Sequence, residues 1–416
     1  MKNVLIIGSY NGQDSLGDKC LLRAVTFRFR KHLTKASNII FHLNDPSEFS
    51  NELKDVPVTA NQGLQTLYWN YNNQISRFKL NNSLTKKVSE ITFPLAYHSL
   101  YKQYQKKIRT IADEQLNNCA FMFVFGGTNF SKQWWWLNIV PYMLTAKMYN
   151  LPVYFGTQQY GPMLPEQQKK TQKFMFSNVK DIRFRNPACF KELGYENAYD
   201  KLTRDEVFSN IEVYPNATIR SGLNKSKKTI LINYRGTQDF LLENPEKEIE
   251  ELGALMNKLG AKYDADFLFF SVSGSSFADD TEAISKLRKI VNAEHGFSTL
   301  PYTNEFDLIE KAKECFACVS MSFHGCILAM IGGCPAIPLS SGDYYDHKYI
   351  SFEQYNPSMP IPVIYLNKAS SDVEYSEIIR YFDQFEIDPI IKERERSNLL
   401  IDDYYRQILS NYDLLK

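Results

Sequence analysis

Seven times along this chain a short apolar run stops at a cluster of glycine and small polar residues. The clusters are Gly8–Asp18, Gly126–Asn129, Gln158–Pro162, Arg185–Asn186, Asn233–Arg235, Ser271–Ser276 and Ser322–Gly325. Apolar, β-branched runs of this length read as strands of a parallel sheet buried on both faces. Ligands of such sheets bind beyond the carboxyl ends of the strands. Turn chemistry alone favours Gly, Ser and Asn at those ends. Seven clusters on one expected edge exceed what turns alone require, so the pattern constrains both the fold and the place of a site.

The elements follow in order. Lys2–Gly8 reads as the first strand. Gly17–Asp18 opens a helix from Lys19 to about Leu33, with Asp18 as its N-cap. Strands are expected at Ala120–Phe125, Pro152–Phe155 and Lys180–Phe184, with a helix over Trp136–Tyr149. Ser209–Lys228 turns polar, with Pro215, Gly222 and three lysines, and reads as a linker. Beyond it come strands Thr229–Asn233, Asp266–Val272, Phe316–Met321 and Ala336–Leu339. Helices Glu246–Leu259, Glu282–Asn292, Phe306–Cys315 and Ile327–Ile331 alternate with them. Ile387–Leu415 is charged and amphipathic, as a surface helix would be. A chain of 416 residues exceeds one ordinary domain. The expected architecture is α/β, with two doubly wound Rossmann-like domains facing a central cleft. Their expected extents are 1–215 and 216–385, with 386–416 as C-terminal surface helices.

Composition removes several function classes. The formal net charge of +1 offers no field for nucleic acid. The seven cysteines are odd in number, and the short apolar start runs straight into Gly8 rather than forming a secretory signal. Reduced thiols and a cytoplasmic protein are expected. Cys315 and Cys318 form a C-x-x-C with no second pair at metal-binding spacing, so no metal is expected. Phe316–Leu339 carries no charged residue, but its Ser, His, Gly and Pro residues break it into strand, turn, helix and strand rather than a membrane span. The Gly8–Asp18 loop lacks G-x-G-x-x-G, which disfavours a dinucleotide cofactor. Trp134–Trp136 suits helix packing, with stacking on a sugar or contact with the inner membrane face as alternatives.

His324 is the sharpest candidate. Between a buried strand and a helix start, free backbone N–H groups favour an anion and an imidazole can give it a proton. The other histidines, His32, His42, His98, His295 and His347, read as surface or structural residues. Arg185, directly after a strand, has the planar fork that grips carboxylate or phosphate. Lys348 and Arg235 are candidate point charges for a phosphate. The expected substrate-contacting positions are Gly17, Asp18, Gly127, Asn129, Gln159, Asn233, Arg235, Ser273 and Ser322.

Taken in order, Gly17–Asp18, Gly126–Gly127, Tyr154-Phe155-Gly156 with Gly161–Pro162, Arg185, Ser322-Phe323-His324-Gly325, Ala329, Gly333, Pro335 and Lys348 resemble the polysaccharide pyruvyltransferase family. The matches span most of the chain. The resemblance implies a two-domain fold similar to GT-B glycosyltransferases and transfer of pyruvate from phosphoenolpyruvate to a nucleotide- or lipid-linked sugar, closing a cyclic ketal. No cofactor is implied. His324 would be the general acid, Arg185 and Lys348 would hold the donor, and Asp18 with its loop would face the acceptor. Three departures mark a divergent branch: Ser322 stands where many members have Arg, Asn186 where they have Asp, and the first loop is long. A nucleotide-sugar glycosyltransferase, with Arg235 and Ser271–Ser276 as phosphate contacts, is the alternative enzyme. A carbohydrate-binding protein that kept the fold is the non-enzymatic one.

Overall fold

The computed structural model describes residues 2–8, 15–35, 37–43, 58–60, 102, 106, 109, 116–131, 140–165, 168–169, 171–173, 179–187, 199–216, 227–235, 242–272, 280–301, 304–350, 352–368 and 372–416. Trp134–Trp136, Ser273, His98, Gly222 and most of the loop before Ser15, singled out above, lie outside the described residues.

The first sheet contains β1 (Asn3–Ile7), β2 (Ile39–Leu43), β3 (Val58–Ala60), β4 (Cys119–Val124), β5 (Gly127–Phe130), β6 (Val153–Tyr160) and β7 (Val179–Phe184). Every ladder is parallel. β4 and β5 run along the same edge of β6, Val124 opposite Phe155 and Gly127 opposite Gln158. They are one strand broken at Gly127, whose φ of +141° favours glycine. With those two counted as one, the order is third-second-first-fourth-fifth-sixth. Alternate residues serve opposite faces: Val4 and Ile6 enter one core, Leu5 and Ile7 the other. Burial on both faces is why these strands read as continuous apolar runs.

The second sheet repeats the winding. β8 (Lys228–Asn233), β9 (Ala265–Phe270), β10 (Phe297–Leu300), β11 (Ala317–Ser320), β12 (Ala336–Ser340) and β13 (Ile364–Tyr365) lie in the order β10-β9-β8-β11-β12-β13. The helices are α1 (Leu16–His32), α2 (Val140–Tyr149), α3 (Glu206–Ser209), α4 (Pro245–Tyr263), α5 (Thr281–Ile290), α6 (Glu305–Lys313), α7 (Phe323–Ile331), α8 (Gly342–Tyr349), α9 (Asp372–Asp383) and α10 (Asp388–Ser410). Strand order reverses between β1 and β4, and again between β8 and β11. Those reversals open the crevices in which doubly wound sheets hold ligands.

Several boundaries differ from the sequence reading. Ser15, not Asp18, caps α1: its hydroxyl accepts from the Asp18 N–H, which places Asp18 in the first turn. Gln158 and Gln159 belong to β6 rather than to a loop, because strand pairing continues past Gly156. α7 starts at Phe323, four residues before the expected Ile327, because Ser322 caps it. The first part of the expected linker is core, with Tyr214 fully buried and donating to the carbonyl of Cys20. Phe316–Leu339 resolves into β11, α7 and most of β12. Among the described residues no helix is long and apolar enough to cross a membrane.

α10 is more than a surface helix. It returns to the first domain and buries Ile401, Tyr404, Tyr405, Ile408 and Leu409, side chains worth about 1.5–3 kcal/mol each for the aliphatic ones. Tyr404 donates to the carbonyl of Phe155 at 2.9 Å and Tyr405 to Glu206 Oε1 at 3.1 Å. Buried Arg394 donates to the carbonyls of Phe208 (2.7 Å) and Tyr214 (2.5 Å). The pattern alternated charged and apolar residues, and the charged ones on this face are partnered inside rather than solvated.

Candidate active site

The site is built where β8 and β11 end. Asn233, the last residue of β8, is fully buried. Its Oδ1 accepts from the Ser322 N–H at 3.1 Å and from the Ser320 hydroxyl at 3.3 Å, while its Nδ2 donates to the carbonyl of Phe270 at 3.0 Å. Ser322 Oγ in turn accepts from the Gly325 N–H at 3.1 Å. A Cβ at Gly325 would come within 2.6 Å of Ser320 Oγ, so the turn requires glycine there. Asn233 and Ser322 thus fix where α7 begins, and His324 occupies its second position.

The His324 ring is wedged between two elements of the first domain. On one side its Nδ1 lies 2.2 Å from where a Cβ on Gly17 would be. On the other its Nε2 lies 3.5 Å from Asp205 Oδ1, an ion-pair contact at the outer limit of hydrogen bonding. Nε2 is buried and has no closer hydrogen-bond partner among the described residues.

Asp205 is fully buried and caps α3, its Oδ1 accepting from the Val207 N–H at 2.9 Å. Its own N–H donates to Tyr355 Oη at 3.2 Å. Burial by itself would raise this carboxyl. The His324 charge and hydrogen bond, the Arg185 guanidinium and the Val207 N–H outweigh burial and hold it well below the usual carboxylate range.

Arg185 Nη1 donates to Asp205 Oδ2 at 2.5 Å. Its Nε and Nη2 both donate to Gln159 Oε1, at 3.0 and 2.5 Å, and its guanidinium lies 4.0 Å from the centre of the Phe323 ring. All three nitrogens are therefore committed within the protein, at 4% exposure of the residue. The sequence reading gave this fork to the donor; the structure gives it to Asp205 and Gln159. Gln159 Nε2 donates to the carbonyl of His347 at 2.7 Å. Gln159 therefore ties Arg185 to α8, the helix that carries Lys348.

Asp18 stands half-buried in the first turn of α1. Burial pushes its carboxyl up to about 6, against the opposing pull of His324, the Ser15 hydroxyl, Lys348 and Arg235. Those interactions bring together α1, α7, α8 and the end of β8. Lys348 is half-buried, with Nζ 5.6 Å from the ring centres of Tyr344 and Tyr345. Thr128 Oγ1 and Tyr344 Oη lie 3.1 Å apart and span the two domains. Two cations, a carboxyl near neutrality and an imidazole backed by a carboxylate can hold an anion, give a proton and take one back.

Of the sequence candidates, Gly17, Asp18, Arg235, His324 and Lys348 converge here. Asn233, Ser322, Gln159 and Arg185 stand behind them and hold their positions. Asn129 is buried, its Nδ2 donating to Gln158 Oε1 at 2.9 Å and to the carbonyl of Phe125 at 3.4 Å, and together with Gly127 it shapes the break between β4 and β5. His32 pairs with Asp402 at 2.8 Å, His295 is buried against Phe267, and His347 Nδ1 meets the carbonyl of Asp343 at 2.9 Å. The six cysteines among the described residues are buried and form no disulfide with one another. Asp205 is the residue that sequence reasoning missed. The signal was there: the acid sought beside Arg185, and replaced by Asn186, stands 20 residues on, at an N-cap before Val207–Phe208.

A model of the polysaccharide pyruvyl transferase family matches residues 12–344. The search of the curated proteins found no match. Among solved structures, the S. aureus MnaA–UDP co-structure is similar at TM-score 0.58 and 11% identity, covering 100% of this chain and 98% of that one. UDP-GlcNAc 2-epimerase from Neisseria meningitidis bound to UDP-GlcNAc is similar at TM-score 0.52 and 12% identity, with 99% of each chain covered. A putative UDP-N-acetylglucosamine 2-epimerase from Listeria monocytogenes is similar at TM-score 0.56 and 9% identity, covering 99% of this chain and 96% of that one. These likenesses establish the GT-B-like, two-domain α/β fold.

Proposed function

This chain belongs to the polysaccharide pyruvyl transferase family, and from that premise we propose that it moves pyruvate from phosphoenolpyruvate to a sugar of a cell-surface glycan precursor, closing a cyclic ketal. The supporting observation is the convergence of His324, backed by Asp205, with Asp18, Lys348 and Arg235 where the two sheets' carboxyl ends meet. Residues 1–215 form the acceptor side and 216–385 the donor side, with 386–416 returning to the first. The acceptor is nucleotide- or lipid-linked and is met on the cytoplasmic side.

His324, as imidazolium, protonates the enol methylene and makes the central carbon electrophilic. A sugar hydroxyl adds to that carbon and a second displaces phosphate, closing the ketal. Of the two hydroxyl protons released, one replaces the proton His324 gave and the other leaves on the phosphate. Lys348 and Arg235 stabilise the donor's carboxylate and phosphate, and Asp18 takes the first hydroxyl proton. A positioned acid contributes about 10²–10⁴-fold to such a step.

The test is thermal stabilisation by phosphoenolpyruvate against UDP- and GDP-sugars, followed by phosphate release with acceptor present. Ligand at 100 times its dissociation constant stabilises by about 2.7 kcal/mol. Stabilisation of wild type that Lys348→Ala weakens, together with turnover that His324→Ala abolishes, is expected. Sugar transfer from a nucleotide donor without pyruvate would replace this reading with a glycosyltransferase.

A further inference from the structure

Arg185 lies at the middle of a line of contacts that crosses between the domains twice. It runs from His324 to Asp205 (3.5 Å), to Arg185 (2.5 Å), to Gln159 (2.5 and 3.0 Å) and to the carbonyl of His347 (2.7 Å), next to Lys348. The ends are the two groups with opposite tasks, the acid and the anion clamp. Everything between them is buried.

Resting on the pyruvyl-transfer reading, we infer that Asp205, Arg185 and Gln159 form a positioning relay that sets His324 at one end and the Lys348 helix at the other, with Arg185 acting behind the donor rather than gripping it. A guanidinium suits the centre because its planar fork serves two acceptors at once in fixed geometry, which a lysine ammonium cannot copy. Phe323, the neighbour of His324, packs against the guanidinium face and couples Arg185 directly to the first turn of α7. Asp205 faces Nε2, which leaves Nδ1 on the Gly17 side. The charged groups around His324 are Asp205 and Arg185 from the first domain, Asp18 on α1, and Lys348 and Arg235 from the second. Replacing Asp205 by Asn removes one negative charge from that set and leaves Arg185 uncompensated.

The experiment follows the His324 ring by NMR in ¹³C-histidine-labelled full-length protein without substrate, assigned by comparison with His324→Gln. In Asp205→Asn the ring's titration moves down, as expected on losing a carboxylate within contact distance. Arg185→Lys also perturbs that titration and lowers kcat at least about tenfold, while phosphoenolpyruvate binding stays within about threefold of wild type. Gln159→Ala frees the α8 end and strips two of Arg185's three contacts, so it raises the donor KM and perturbs the His324 titration less than Arg185→Lys does. The relay is overturned if Arg185→Lys loses donor binding about tenfold or more with the His324 titration unchanged, for then the fork holds the donor itself. It is equally overturned if Asp205→Asn, folded by near-ultraviolet dichroism, leaves the titration in place. If Asp205→Asn does not fold, the Arg185→Lys and Gln159→Ala pair decides. If wild type does not bind phosphoenolpyruvate, the pyruvyl-transfer reading fails while the titrations still judge the relay.

Discussion

Gly17→Ala puts one methyl group against the ring that the mechanism depends on. The added Cβ would lie 2.2 Å from His324 Nδ1 and 2.9 Å from Cγ, where ordinary contact begins at 3.4 Å. The ring must therefore retreat by about 1 Å, toward or past Asp205, or α1 must shift. A misplacement of about 1 Å at a reacting group costs on the order of 10²-fold in rate. Stability should respond far less. Alanine improves helix propensity by about 1 kcal/mol over glycine, while overpacking costs about 1–3 kcal/mol, so a net loss of about 2 kcal/mol at most is expected. The assay is phosphate release at saturating donor and acceptor, with the thermal midpoint measured in parallel. A folded Gly17→Ala protein with wild-type kcat would refute the placement of Nδ1 at the reacting centre.

Asp18 should leave a pH signature. Its carboxyl is pushed up to about 6, so its ionisation becomes costly as pH rises from the unfolded value near 4 through about 6. Asp18→Asn should therefore raise the thermal midpoint at pH 8 but not at pH 4, and remove an acid-side limb near pH 6 from kcat/KM; equal midpoint changes at both pH values would contradict this. Ser322→Ala removes the α7 cap and should cost about 1 kcal/mol in urea unfolding, with a larger proportional loss of turnover because His324 rides on that turn. Arg394→Ala leaves two buried carbonyls without their donor and should destabilise by about 1–3 kcal/mol, read as a lower urea midpoint; an unchanged midpoint would mean α10 is not anchored there.

The central strands β1, β4, β8 and β11 were legible because a parallel strand buried on two faces reads as an apolar run. Val4 to Ile7 and Ile230 to Ile232 show this, each residue fully buried. His324 was legible for the related reason that a strand-to-helix junction can be located from composition. β2, β3, β5, β10 and β13 were missed: Gly127–Phe130 reads as a polar loop, Phe297–Leu300 is only half-buried, and Val58–Ala60 and Ile364–Tyr365 are too short to carry a period. Asp205 was missed because its function is created by Arg185 and His324, which lie far from it in the chain. Arg185, Gln159 and Asn233 follow or end apolar runs, which reads as exposure at a site, and the packing turns each inward onto a partner.

The return of α10 to the first domain has a temporal consequence. Arg28 on α1 meets Asp402 across 374 residues of chain, and Phe29 and Phe123 pack on Tyr405 at ring separations of 4.7 and 5.1 Å. At about 5–20 residues per second of synthesis, α1 emerges from the ribosome roughly 20–75 s before the segment that covers it. During that interval the first half of the protein holds an unfinished aromatic surface beside the very helix that presents Gly17 and Asp18. The core of the first domain is thus completed only when α10 docks on α1.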